Sequence, residues 1–164
     1  MSLAPFVPTP TKIVRAMLQL AELKPGETLY DLGCGDGRVV LMAAQEFCAK
    51  AFGVELDNER YSECVKKINE LHLENRVNII HDDQLKVDLS AADVVTLYLT
   101  TSANEKVKPN LELYLKNGAR VVSHDFKMPG WNLAEVQNIE EVEEDISGED
   151  GLFQFLHSLY LYRR

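Results

Sequence analysis

Asp31-Leu32-Gly33-Cys34-Gly35-Asp36-Gly37 is the stretch on which the reading of this chain turns. Thr28 to Leu32 before it reads as a buried strand, and Arg38 to Phe47 after it as a helix. A glycine-rich hand-over from strand to helix is where open α/β sheets bind ligands, beyond the carboxyl ends of their strands. Without Cβ atoms, Gly33 and Gly35 let the main chain, Cys34 included, come within van der Waals contact of a ligand, and Gly37 closes the loop. The spacing is GxGxG, not GxGxxG, and the strand ends in Asp31, whose charge would repel a dinucleotide pyrophosphate and suits an ammonium group instead. A phosphate-binding P-loop is excluded, because no Gly-Lys-Ser/Thr follows.

Working outward, Ala51 to Leu56 reads as a second strand ending in acid. Glu55 is there placed to accept both hydroxyls of a ribose, with Leu56 beside it. Asp57 can cap a helix running to about Leu73. Arg76 to His81 reads as strand three, and Asp83 at its exit is placed to accept from an adenine exocyclic amine next to the Gln84 backbone. Asp31, Glu55 and Asp83 thus meet a nucleoside that carries an amine, a diol and an aminopurine. S-adenosylmethionine has those features and a sulfonium cation, whereas NAD brings two phosphates that this set disfavours.

Ala92 to Leu99 is apolar enough for a strand buried on both faces. A helix interrupted by Pro109 is expected over Asn104 to Lys116, then a fifth strand over Ala119 to Ser123. Val136 to Asp145 and Leu152 to Leu161 read as a hairpin turning through Ser147 to Gly151. Strands alternating with helices and closed by a hairpin predict a parallel α/β sheet wrapped on both faces, with an antiparallel end. One domain over 1–164 is expected, with a proline-rich arm at 1–10 and the terminal β-hairpin at 136–161.

At 164 residues, with 46% hydrophobic residues, the chain can bury a sizeable core. It holds 17 Lys plus Arg against 26 Asp plus Glu, a net charge of −9 that opposes attraction to a nucleic-acid backbone. No apolar run approaches the roughly 18 residues of a membrane-spanning helix, and no leader opens the chain, so a cytoplasmic protein without a membrane partner is expected. Cys34, Cys48 and Cys64 form no CxxC and read as small core residues. His72, His81, His124 and His157 stand far apart in the sequence, so no metal is expected.

The motif and its acidic partners resemble those of the class I S-adenosylmethionine-dependent methyltransferases. More narrowly, the chain resembles the small archaeal protein-lysine methyltransferases and their mitochondrial relatives. The resemblance is carried by Val7 to Pro10, Tyr30 to Arg38, Gly53 to Glu55, Val94 to Leu99, Lys108 to Leu111 and Arg120 to Phe126. It implies a Rossmann-like sheet of seven strands in order 3214576, with strand seven antiparallel between five and six. It also implies S-adenosylmethionine as cofactor.

A sulfonium methyl is already activated, so the enzyme's work is to align an unprotonated nucleophile and exclude water. An aromatic, partly apolar channel helps a lysine ammonium shed its proton. Tyr98 and Thr100, at the strand-four exit, are the expected catalytic residues, and Tyr98 also borders the cofactor. That exit lacks the Asn/Asp-Pro-Pro-Tyr/Phe clamp that holds a planar base amine, which argues against methylation of adenine or cytosine. In the arm, Phe6 and Pro8 can fold across the cofactor while Thr9 offers its hydroxyl to the methionine carboxylate.

Asn104 and the His124-Asp125 pair can bind substrate or order the rim but are read first as capping or turn residues, and Trp131 is read as packed on the hairpin, with an aromatic wall as the alternative. From Glu135 to Asp150 there are eight acids and no Lys or Arg, a run that keeps an edge strand soluble and can also attract basic protein segments. The expectation is a monomeric protein-lysine N-methyltransferase of broad scope acting on basic proteins. The alternatives are a small-molecule methyltransferase and a non-catalytic cofactor-binding subunit.

Overall fold

A computed structural model describes residues 5–144 and 152–164 of the chain. The start of the arm and the turn expected at Ser147 to Gly151 lie outside the described residues. The elements are α1 (Thr11–Leu20), β1 (Thr28–Leu32), α2 (Arg38–Phe47), β2 (Lys50–Val54), α3 (Asn58–Glu70), β3 (Val77–Ile80), β4 (Val94–Leu97), α4 (Thr101–Tyr114), β5 (Arg120–His124), β6 (Glu135–Glu144) and β7 (Leu152–Arg163). All strands belong to one seven-stranded sheet of order β3-β2-β1-β4-β5-β7-β6. β1 to β5 run parallel, and β7 enters antiparallel against both β5 and β6. This is the Rossmann-like class I methyltransferase arrangement that the motifs imply.

Because side chains alternate along a strand, each central strand feeds two cores. Leu29, Val94, Val122 and Leu161 pack with Ile13, Met17 and Leu18 of α1 and Val40 and Ala43 of α2. Their neighbours Tyr30, Val95, Val121 and Tyr162 pack on the opposite face with Ala103, Val107 and Leu111 of α4. Burial on both faces explains the continuous apolar run of β4 and leaves only strand ends for chemistry.

Two expectations are corrected. The fourth helix begins at Thr101, before Asn104, because Thr100 caps it by accepting from the Ala103 N–H at 3.3 Å. It also runs through Pro109, whose missing N–H strips only the exposed Glu105 carbonyl of a partner. Cys48 is not a core residue: it is exposed at the C-terminus of α2 with φ 55°, while Cys34 and Cys64 are buried.

Candidate active site

β1 ends at Leu32, and the loop that follows is pinned to the end of β2, since the N–H groups of Gly33 and Cys34 both donate to the Val54 carbonyl at 2.9 Å. The Cys34 side chain turns away into β2, where a Cβ on Gly53 would stand 2.5 Å from its sulfur. The loop main chain is therefore left to face an open cleft lined by Thr9, Asp31, Gly33, Cys34, Gly35, Glu55, Leu56, Asp83, Gln84 and Tyr98. Ten of the expected site residues meet there. Gly37 and Thr100 are not among the lining residues: Gly37 caps α2 against Cys64, and Thr100 caps α4.

Asp31 is 6% exposed and accepts from the Thr96 hydroxyl at 2.8 Å. Burial, with smaller repulsions from Glu55 and Asp36, pushes its carboxyl up to about 7 despite the Thr96 bond. A cationic ligand would restore its charge. Glu55, also 6% exposed, is bonded by Arg60 through one oxygen, Oε1. Asp83 spends Oδ1 on the Leu85 N–H at 2.9 Å, as a turn residue does.

The sequence reading missed two arginines on the cleft wall, Arg38 and Arg60. Both are paired with carboxylates: Arg60 with Glu55, and Arg38 with Asp36 through Nε at 3.0 Å. Burial works against the Asp36 carboxylate, yet the bonds from Arg38 hold it below the ordinary range. Arg38 also donates from Nη1 to the Thr9 carbonyl at 2.7 Å, which ties the arm to the loop.

The arm then crosses the cleft. Phe6 lies so close to Gly35 (φ 58°) that a Cβ there would stand 2.0 Å from the ring, and the Arg60 guanidinium sits 5.3 Å from the ring centroid on its face. The glycine cradle is thus a place of close approach, and the carboxylates around it suit a cationic nucleoside and oppose a diphosphate. The chemistry of the donor set fits S-adenosylmethionine.

Beyond the cleft, Tyr98 packs against His124 with ring centroids 3.9 Å apart. His124 and His157, remote in sequence, bring their ring nitrogens to 2.8 Å, and His157 Nε2 lies 3.2 Å from Glu141 Oε2. Sequence spacing hid this pair, because strand register alone sets β7 beside β5. Asn104 is fully buried and donates from Nδ2 to the Phe126 and Lys127 carbonyls, holding the loop after β5. Trp131 stands edge-on to Tyr162 of β7 at 5.7 Å and donates to Glu112.

The sheet order, the glycine cradle and the acids on successive strand ends define a class I S-adenosylmethionine-dependent methyltransferase. Residues 31–135 match the ANTKMT methyltransferase domain, and the chain belongs to that family. It is 45% identical over 96% of its length to a protein-lysine N-methyltransferase of Saccharolobus islandicus (strain REY15A), 92% of which it covers. It is 32% identical over 77% of its length to the adenine nucleotide translocase lysine N-methyltransferase of Mus musculus, but spans only 55% of that relative. The crystal structure of an RNA methyltransferase from Salinibacter ruber in complex with S-adenosyl-L-homocysteine superposes with a TM-score of 0.82 at 36% identity, covering 96% of this chain and 93% of that one.

Proposed function

We propose that this methyltransferase acts on lysine side-chain amines of proteins, with broad scope and a preference for basic segments. Thr9, Asp31, Gly33, Cys34, Gly35, Glu55, Leu56, Asp83 and Gln84 hold S-adenosylmethionine, and Gly37 supports the loop by starting α2. When bound, S-adenosylmethionine supplies a methyl group already activated on a sulfonium sulfur. Everything else asked of the chain is alignment, dehydration and control of one proton.

Tyr98 carries the reading. It lies on the cleft wall, and its phenol is pushed up by burial, then by the charge of Asp125 and by hydrogen bonding to it. Its phenol is therefore held neutral, and its oxygen can accept an N–H from an incoming amine. That orients the amine's own lone pair into the cleft. The aromatic wall disfavours the charged ammonium and so assists loss of its proton. Thr100 contributes through the start of α4, which follows Tyr98 by three residues. The missing amide-Pro-Pro clamp leaves nothing to grip a planar base amine, and the net charge of −9 opposes RNA. The relatives named for lysine methylation, one of them matched almost end to end, support the same choice.

No helix among the described residues is long and apolar enough to cross a membrane. The proposal includes a monomeric, one-domain enzyme working in the cytoplasm. Titration calorimetry with S-adenosylmethionine, followed by transfer of a radiolabelled methyl to mixtures of basic proteins, RNA and small metabolites, tests it. Acid-stable label on protein lysines is expected. Label confined to RNA or to metabolites, or binding without transfer, overturns the lysine reading.

A further inference from the structure

The exit of β5 carries a carboxylate in a costly backbone position. Asp125 has φ 61°, in the left-handed region that Asp and Asn enter more readily than other non-glycine residues but that their surroundings must still hold. Two bonds to β7 do so: Asp125 N–H donates to the Ser158 carbonyl at 2.7 Å, and Ser158 N–H donates to Asp125 Oδ1 at 2.9 Å. The other oxygen, Oδ2, lies 3.5 Å from His124 Nε2, and the Tyr98 ring packs on His124 with centroids 3.9 Å apart, its phenol pushed up by burial and then by the Asp125 charge. The side chain is 30% exposed beside the wall that Tyr98 shares with the donor cleft.

Among the described residues no Lys or Arg is ion-paired with this carboxylate. Among the described residues its only ion-pair partner is His124, which is fully buried and kept neutral, its pKa lowered to about 4 by burial in spite of Asp125. The hydrogen-bond chain agrees. With Glu141 accepting from His157 Nε2–H, His157 Nδ1 is left to accept from His124 Nε2–H. His124 Nδ1 then bears a lone pair, and it is a buried ring nitrogen without a partner. An anion half-buried among neutral groups is stabilised by whatever cation enters.

We propose that Asp125, together with Tyr98, is the seat for the acceptor's ammonium group, a primary or partly methylated alkylammonium at the end of a protein side chain. The proposal rests on the lysine reading and adds the group that selects for charge. Asp125 draws the protonated side chain to the wall of the donor cleft. Once the amine has given up its proton to solvent water, its lone pair forms the new N–C bond as the methyl–sulfur bond breaks and that bond's electron pair stays on sulfur; the same carboxylate accepts one of the remaining N–H groups and offsets the positive charge that nitrogen takes on.

The test compares wild type with Asp125→Asn. The amide oxygen can still accept from Ser158 N–H, and asparagine tolerates the left-handed backbone, so the fold is kept. Calorimetry with S-adenosyl-L-homocysteine and a thermal melt verify this for the variant. Methyl transfer to a basic lysine peptide is measured, with the same peptide carrying norleucine in place of lysine as a competitor.

Wild type is expected to bind the lysine peptide about 10- to 100-fold more tightly than the norleucine peptide, the effect of one charge-assisted bond. In Asp125→Asn the KM for the lysine peptide rises by a similar factor, the preference over norleucine disappears, and homocysteine-product affinity is unchanged. Equal binding of the two peptides by wild type overturns the seat whatever the variant does, as does an unchanged KM in a folded variant. Absence of any label on lysine with wild type overturns the lysine reading and the seat together, whereas label on lysine with an unaltered variant overturns the seat alone.

Discussion

Asp31 is the most sharply defined residue of the cleft, and its environment makes a pH prediction. Its folded-state carboxyl sits near 7 against an ordinary 3.8, so the folded protein holds that proton more tightly than the unfolded chain does. The stability linked to Asp31 is then fully present below about pH 4 and lost as pH rises through 7. In cofactor-free protein, Asp31→Asn should flatten the decline of thermal stability between those values, as followed by calorimetric melts across the range. Cofactor affinity should rise with pH through the same window in wild type, because a cationic ligand needs the ionised form. Asp31→Asn and Glu55→Gln should each weaken S-adenosylmethionine binding by about one to a few kcal/mol, read by titration calorimetry. Asp31, Glu55 and Asp83 were legible in the sequence because each stands at or just past the end of a strand that its pattern reveals. Thr96 was not, since a threonine in an apolar strand looks like β-propensity until β1 and β4 are set in register and its hydroxyl meets Asp31.

Elements carry the next set of consequences. Thr100 holds the first turn of α4 with its hydroxyl, so Thr100→Ala should cost about 1 kcal/mol in a denaturant melt, while Thr100→Ser keeps the cap. The arm and the glycine loop are coupled through Arg38 and through the contact of Phe6 with Gly35. Gly35→Ala would place a methyl 2.0 Å from the Phe6 ring at a φ of 58°, so the arm has to move off the cleft. The expected outcome is a loss of cofactor binding of tenfold or more, on the scale of one strained contact and one displaced packing group, with faster cleavage of the arm in limited proteolysis. The arm's place across the cleft was readable from its prolines and Phe6. Its anchoring by Arg38 was not, because Arg38 opens a helix and looks like an ordinary solvent-facing residue in one dimension.

At the scale of the whole molecule, charge is distributed unevenly. Eight of the 26 acids lie between Glu135 and Asp150 in the sequence, five of them in β6 of the antiparallel β6–β7 hairpin. That hairpin meets the sheet next to β5, whose last residue, His124, stands behind Tyr98. A basic protein segment should therefore be drawn toward the acceptor side, and kcat/KM for basic substrates should fall steeply between low and physiological salt, with little change in kcat at saturation. A salt-independent kcat/KM would show that the acids serve only to keep the edge strand unpaired.

The order of strands and helices, the glycine loop and the three carboxylates on its cleft were determined by the sequence alone, because local periodicity and strand-end position are one-dimensional properties. The cluster of Tyr98, His124, Asp125, His157 and Glu141 was decided only by the tertiary structure. It depends on β4 lying beside β5 and on β7 inserting antiparallel between β5 and β6, pairings between distant segments that set the register of side chains across strands and leave no mark in the spacing of residues along the chain.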